Sequence, residues 1–209
     1  MSISRPRVAS GCFVTIMAVF AASSTAAAVE VPPLVQTINA VGPKGAGHPA
    51  AIAALQQLGQ ADAAQIPEIL AGMNGANRLS ANWLRAAIEA IAQRELDRGG
   101  RLPQTELEAF LADGTHAPQA RSLAYDLILR IDPTAQPRLV PGLLQDPSME
   151  LRREGVAFAL TAARKLLDGQ AKMPAIEAYR QALSAARDLD QISEAAKRLR
   201  ELGQTVDVA

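Results

Sequence analysis

Cysteine, histidine, aromatic residues and strand-like alternation are all scarce in this sequence, and each shortage excludes a kind of protein. A single cysteine, Cys12, sits near the start of the 209-residue chain. With a leader containing it removed, no thiol nucleophile, zinc–thiolate site or Cys-x-x-Cys-His haem attachment can be built, and no disulfide can staple the fold. The two histidines, His48 and His116, stand beside turn residues and lack the further ligands a metal site needs. Aromatics make up 3% of the chain, so the stacking side chains that accompany basic patches in nucleic-acid binders are missing. Neither sign of charge dominates, with 21 basic residues against 21 acidic ones. That balance offers no electrostatic case for nucleic acid or acidic lipid. β-branched residues never alternate over a strand-length run, whereas alanine is abundant and lets helices approach closely at little entropic cost. The composition predicts an all-α protein.

Long apolar runs are also lacking. The longest, Cys12 to Ala22, covers 11 residues, well short of the roughly 20 a spanning helix needs. Arg5 and Arg7 precede it, no acidic residue occurs before Glu30, and Ala26-x-Ala28 closes a stretch of small residues. This is the order of a secretory signal peptide, with cleavage expected after Ala28. Ser10-Gly11-Cys12 superficially resembles a lipobox but precedes the apolar core instead of following it. The mature chain is therefore expected to be exported, to the periplasm, cell envelope or beyond, with no membrane attachment after cleavage. Losing the two leader arginines leaves 19 basic against 21 acidic residues.

What the chain does contain is repetition. Ile66-Pro67-Glu68-Ile69-Leu70-Ala71-Gly72, Leu107-Glu108-Ala109-Phe110-Leu111-Ala112-Asp113 and Val140-Pro141-Gly142-Leu143-Leu144-Gln145-Asp146 each put large apolar residues on one helical face and end on Gly or Asp. They lie 41 and 33 residues apart, within the range of stacked two-helix repeats. The longer helices align too. Leu84-Arg85-x-x-Ile88-x-x-Ile91, Ala120-Arg121-x-x-Ala124-x-x-Leu127 and Leu151-Arg152-x-x-Gly155-x-x-Phe158 follow one another at offsets of 36 and 31. Each is a buried stripe flanked by one arginine.

Punctuation divides the chain into helices. After the signal peptide (1–28), a leading segment and linker occupy 29–47, with a short helix or turn from Leu34 to Ala40. Helical repeats fill 48–168. Their helices are expected at Pro49–Leu58, Ala63–Met73, Ser80–Asp97 with Ser80 as N-cap, Pro103–Ala112, Ala117–Ile131, Gln136–Leu144 and Met149–Leu167. A C-terminal pair, Met173–Arg187 and Asp190–Leu202 with Gly203 as stop, completes 169–209.

These features resemble HEAT repeats, the antiparallel helix pairs that build α-solenoids. Asp146-Pro147-x-x-x-x-Arg152-x-x-Gly155 is close to that family's inter-repeat phrase, an acidic turn followed by an arginine in the next helix. The resemblance covers roughly 49–168 and implies a short right-handed solenoid. It also implies a hydrogen-bonded aspartate–arginine ladder between units, for which Asp146 and Arg152 have the spacing. Asp113 and Arg121 stand two residues further apart, and only a polar loop precedes Arg85. In the last 40 residues, Ala175-x-x-x-Tyr179-x-x-Ala182-Leu183 and Ala195-x-x-x-Leu199-x-x-Leu202-Gly203 are similar to tetratricopeptide helices. A plain helical hairpin capping the solenoid is the simpler reading of them. The stretch from Arg187 to Asp207 also resembles exported helical-repeat proteins of planctomycete-type bacteria, in which a β-rich carbohydrate-binding-like domain follows. The likeness implies a stand-alone or truncated helical module.

No reactive constellation stands out. Gly42 to Gly47 contains Lys44 but lacks the order of a phosphate-binding loop and has no strand before it. Glu95, Glu106 and Glu108 cluster near a repeat joint, where exposed helix faces normally carry acids. Arg152-Arg153, Arg164-Lys165 and Lys197-Arg198-Leu199-Arg200 each have acids three or four residues away, the spacing of surface pairs. Trp83 is the one tryptophan, either packed between repeats or exposed as a binding hot spot. The sequence thus leads to a non-enzymatic, cofactor-free scaffold that binds a protein partner. The alternative is a helical spacer or assembly portion of a larger envelope protein or enzyme.

Overall fold

A computed structural model describes residues 29–207 of the chain. The expected signal peptide falls outside these residues. Ten α-helices and no strand occur among the described residues: α1 (Val31–Asn39), α2 (His48–Leu58), α3 (Ile66–Ala71), α4 (Arg78–Asp97), α5 (Gln104–Ala112), α6 (Pro118–Ile131), α7 (Gln136–Leu139), α8 (Met149–Asp168), α9 (Lys172–Ala185) and α10 (Leu189–Glu201). The protein is all-helical. No helix among them is long and apolar enough to cross a membrane.

Proline starts many of these helices. It occupies the first or second helical position of α1, α2, α3, α6 and α7. There its missing N–H is no loss, because the first-turn donors have no intrahelical acceptor, and its fixed φ already suits the helix. The same residue sets two boundaries that differ from the sequence expectation. With Pro32 in its first turn, α1 opens at Val31, three residues before Leu34. Pro141 interrupts the apolar run 136–144, which forms four residues of α7 followed by a 3₁₀ turn over Val140–Leu143.

Helix α4 also begins earlier than expected. The cap is Asn77, whose side-chain oxygen accepts from the N–H groups of Leu79 (2.9 Å) and Ser80 (3.0 Å). Ser80 lies inside the first turn and returns its hydroxyl to the Asn77 carbonyl at 3.1 Å. Both residues are good caps, but Asn ranks with the best, and Asn77 has a second use. Its amide nitrogen donates to the Val41 carbonyl at 3.0 Å, so it tethers the linker after α1 as well.

The interior forms two apolar clusters that meet within α8. The larger runs from Val31 to Leu151 and draws on the earlier helices, with Ile38, Leu58, Ile66, Leu84, Ile91 and Leu127 fully buried. The smaller holds Val156, Leu160, Ile176, Tyr179 and Leu199 among alanines 163, 182, 185, 186 and 195. Contacts chiefly join neighbours along the chain. Helix α3 packs on α4, α5 on α6, α8 on the turn before it and on α9, and α9 on α10, while α4 touches α6 and α6 touches α8.

Polar side chains fasten the loops between these neighbours. The Asn39 amide donates to the Gly72 carbonyl (2.8 Å), Gln65 to Val29 (2.7 Å), and Gln191 to Arg153 (2.9 Å). Arg94 donates to the carbonyls of Gly59 and Ala61 beyond the end of α2. Gly72 and Gly59 cap the C-termini of α3 and α2, where carbonyls lack intrahelical partners, so the bonds to them satisfy groups that would otherwise need water.

Candidate functional site

Asp146 is a buried carboxylate with both oxygens bonded. It is 5% exposed and sits in the turn before α8. Its two carboxylate oxygens receive the two terminal nitrogens of Arg121 in α6, Nη1 to Oδ1 at 2.8 Å and Nη2 to Oδ2 at 2.6 Å. Oδ1 also accepts from the Ser148 N–H at 2.8 Å, which closes the turn. Arg121 itself is 3% exposed and donates from Nε (2.9 Å) and Nη2 (2.7 Å) to the Leu111 carbonyl near the end of α5. A fork-shaped guanidinium is the side chain suited to this, since it can bind a carboxylate in pairs and still cap a helix end. The tie therefore joins α5, α6 and the entry to α8.

Of the four ladder residues, the structure brings Arg121, Asp146 and Arg152 together. Arg152 reaches only the main chain of Asp146, Nε to the carbonyl oxygen at 2.7 Å. Asp113 stands apart and exposed. Its Oδ1 accepts from the Thr115 N–H (2.9 Å) and hydroxyl (2.7 Å), and these bonds hold its carboxyl below the ordinary value.

The turn after Asp113 contains a contact that sequence reasoning missed. The Asn74 side-chain oxygen accepts from the Ala117 N–H at 2.7 Å, across 43 residues of chain. Its amide nitrogen must then face His116 Nδ1, 3.1 Å away, which makes Nδ1 the acceptor and puts the ring proton on Nε2. Nε2 lies 3.6 Å from Asp113 Oδ2, and the imidazole stacks on Phe110 at 3.8 Å between centroids. His116 thus joins the two loops through Nδ1, while Nε2 faces the carboxylate of its own turn. Asn74 gave one signal in the sequence, a polar residue in an Asn-Gly turn, and such turns are too common to reveal a distant partner.

Trp83 is partly buried against the larger cluster, with its ring 5.0 Å from that of the exposed His48. The acids near the α4–α5 joint are occupied or displayed. Glu95 pairs with Arg98, and Glu106 is exposed in the first turn of α5. Glu108 takes Arg138 Nη2 at 2.8 Å, and that bond keeps its carboxyl below the usual range. A general acid needs the opposite shift. Two arginines of α8 are spent on α10 and its cap: Arg153 meets Asp188 (3.1 Å) and Asp190 (2.6 Å), and Arg164 meets Glu194 (2.6 Å). Lys44 has a left-handed backbone, φ 58°, in a turn between α1 and α2. Among the described residues no three His, Cys, Asp or Glu side chains converge as metal ligands.

One recess does cross several helices. A groove of about 280 Å³ lies over α4, α6 and α8, lined by Arg85, Ser122, Tyr125, Asp126, Glu150 and Glu154. Ser122 donates to Glu150 at 2.9 Å, and Arg85 stands 2.8 Å from Glu89 and 3.5 Å from Asp126. No family model matches the chain, and no curated protein or solved structure matches it either.

Proposed function

We propose that the chain is an exported, non-catalytic scaffold, a short α-solenoid of antiparallel helix pairs of the HEAT type that binds another protein. The observation that carries this reading is the side-by-side placement of α4, α6 and α8, each backed by its own preceding helical segment. Successive units stacked in this way present one continuous face and one row of turns, a geometry suited to an extended partner. The Arg121–Asp146 tie and the Asn74 clamp support it, since both connect one unit with the next. In this reading Asp146, Arg121 and Arg152 hold the stack, Asp113 shapes a turn, and Trp83 edges the first unit. The C-terminal pair α9–α10 closes the row, its outer surface rich in charge.

The test is site-specific photo-crosslinking of the full chain in its own cells. The reactive residue is placed on the α4/α6/α8 face (Ala86, Ser122, Ala157) or on the opposite side (Ala109, Gln145). A discrete adduct confined to the first set is expected, together with an N-terminus beginning at Val29 in the exported form. Equal yields from both sides, or no protein adduct from either, would end the scaffold reading.

A further inference from the structure

The groove over α4, α6 and α8 is unlike the rest of the surface in what its charges do. Arg153 and Arg164 of α8 find acids at α10, and at the α5–α7 joint Arg138 finds Glu108. In the groove the acids outnumber their partners. Asp126, Glu150 and Glu154 line it with Arg85 as the one cation, and Arg85 is shared with Glu89. Arg130, a turn further along α6, is the other cation that acts on Asp126, while Glu89 and Glu150 repel it. Desolvation, the largest influence, pushes the Asp126 carboxyl up despite the two arginines.

A second feature lies in the same place. Tyr125 is 4% exposed and its hydroxyl makes no hydrogen bond. Tyr125 lines the groove together with Asp126 and Glu154, and burial first, then the charges of Glu154 and Asp126, push its phenol up. Gln136 is near enough to influence it without forming a bond of acceptable geometry. A buried hydroxyl without a partner is costly, and such groups normally have one. The phenol oxygen can accept a donor, and the carboxylates around it favour a donor that is charged.

We infer that this groove receives a lysine or arginine side chain of an extended cationic segment in a partner protein. The inference rests on the scaffold reading and names the chemistry of its partner. An ammonium or guanidinium brings several N–H donors at once, enough to serve the carboxylates of Asp126 and Glu154 and the Tyr125 oxygen together. The recess falls below the roughly 300–1,000 Å³ of small-molecule sites, which suits one side chain of a longer chain. The walls come from three successive units, so a segment lying across the helices continues past them on both sides. Carboxylates at its rim also attract a cationic partner before contact and make the encounter sensitive to salt.

The experiment measures binding of a fluorescent nine-residue peptide of alternating lysine and glycine to the full chain by anisotropy, beside the same peptide with glutamine for lysine. Three variants accompany the wild type. The groove variant is Asp126→Asn, Glu150→Gln, Glu154→Gln. A control with the same net charge is Glu106→Gln, Asp168→Asn, Glu177→Gln. The third is Tyr125→Phe, used after its melting curve matches the wild type. Saturable binding of the lysine peptide alone is expected, weakened at least about tenfold in the groove variant and less than about twofold in the control. Tyr125→Phe should weaken it about threefold, a smaller loss because one neutral acceptor is removed. Equal weakening in the groove and control variants overturns the inference, as does binding of the glutamine peptide with similar strength. A wild type that ignores the lysine peptide yet keeps its face-restricted crosslink sinks this inference alone. Loss of the crosslink sinks the scaffold reading with it.

Discussion

The turn at Asp113 and the turn at Asp146 start from similar sequence and end in different physics. Each follows a short apolar stretch, each closes on an aspartate that accepts an N–H two residues on, and each precedes a helix with an arginine in its first turns. Yet Asp146 is 5% exposed and gripped by Arg121, while Asp113 is exposed and serves its own loop. The difference lies in which way the arginine points. Arg121 turns inward to the Leu111 carbonyl and forward to Asp146, leaving nothing for Asp113 beyond a weak electrostatic pull. An aspartate in a turn is only a local device until a buried cation reaches it, and then it becomes a joint.

The sharpest way to break this comparison is to remove each carboxylate. Asp146→Ala leaves Arg121 buried without its counter-ion, which costs about 3–5 kcal/mol. For a chain of this length that lowers Tm by roughly 6–20 °C. Asp113→Ala should leave the melting curve nearly where it was. Calorimetry of the two variants decides the matter, and comparable losses would mean that the tie carries no special weight. The double variant Arg121→Met, Asp146→Leu refines the result. Buried pairs replaced by apolar side chains are often no less stable, so it should recover most of what Asp146→Ala loses. Failure to recover would show that the Leu111 carbonyl depends on Arg121 for its partner.

A smaller effect tests the packing at the same two joints. Gly155 lies where α8 crosses the turn before it, and a Cβ there would stand 2.8 Å from the Leu144 nitrogen and 2.9 Å from the Leu143 carbonyl carbon. Those are main-chain atoms of a proline-stiffened turn, which cannot yield as a flexible side chain does. Gly155→Ala should therefore cost about 1–3 kcal/mol by overpacking. A Cβ on Gly114 meets nothing within 4 Å, so Gly114→Ala should leave stability unchanged or raise it slightly. Denaturant midpoints would read both, and a neutral Gly155→Ala would mean that α8 can lift off the turn freely.

The sequence disclosed the helices better than their joints. Apolar spacing in 66–72 and 107–113 marked α3 and α5, and Gly99-Gly100, Asp132-Pro133 and Gly203 marked where α4, α6 and α10 stop. It was least informative where two local signals competed. Asn77 and Ser80 are both fit to cap α4, and the choice fell to Asn77 because its amide reaches Val41, a contact 36 residues away. The run 136–144 has the apolar pattern of one helix, but Pro141 withdraws a donor and turns half of it into 3₁₀ structure. Site residues were legible in part. Arg121, Asp146 and Arg152 stand out as an acidic turn with nearby arginines, whereas spacing suggests Arg152 as the side-chain partner of Asp146 and the structure gives that place to Arg121. Arg121 lies 25 residues before Asp146, and nothing local encodes that pairing. The groove was invisible for the same reason, since Asp126 and Glu154 read as ordinary exposed acids until α6 and α8 are set side by side.

The smallest effect separates turn from groove by the sign of a pH dependence. Asp113 is held below its ordinary value of 3.8, first by the Thr115 hydroxyl and then by the Thr115 N–H. A group whose folded value is depressed adds stability above the unfolded value and loses it as pH falls through the folded one. Asp126 is displaced the other way, chiefly by desolvation, so its ionised form is disfavoured in the fold and the wild type gains as pH falls through the raised value. Melting curves of wild type, Asp113→Asn and Asp126→Asn between pH 7 and pH 3 should show this. The wild type should hold a small advantage over Asp113→Asn at pH 7 that begins to fade only as pH falls below the ordinary 3.8 and is lost through the lower folded value. Against Asp126→Asn it should be the weaker protein at pH 7, and the gap should close on acidification. Both effects are small because both carboxylates are largely solvated and water screens them. Their opposite signs are what matter. Equal signs would mean that the groove does not desolvate Asp126, and the surplus of negative charge there would be ordinary hydrated surface.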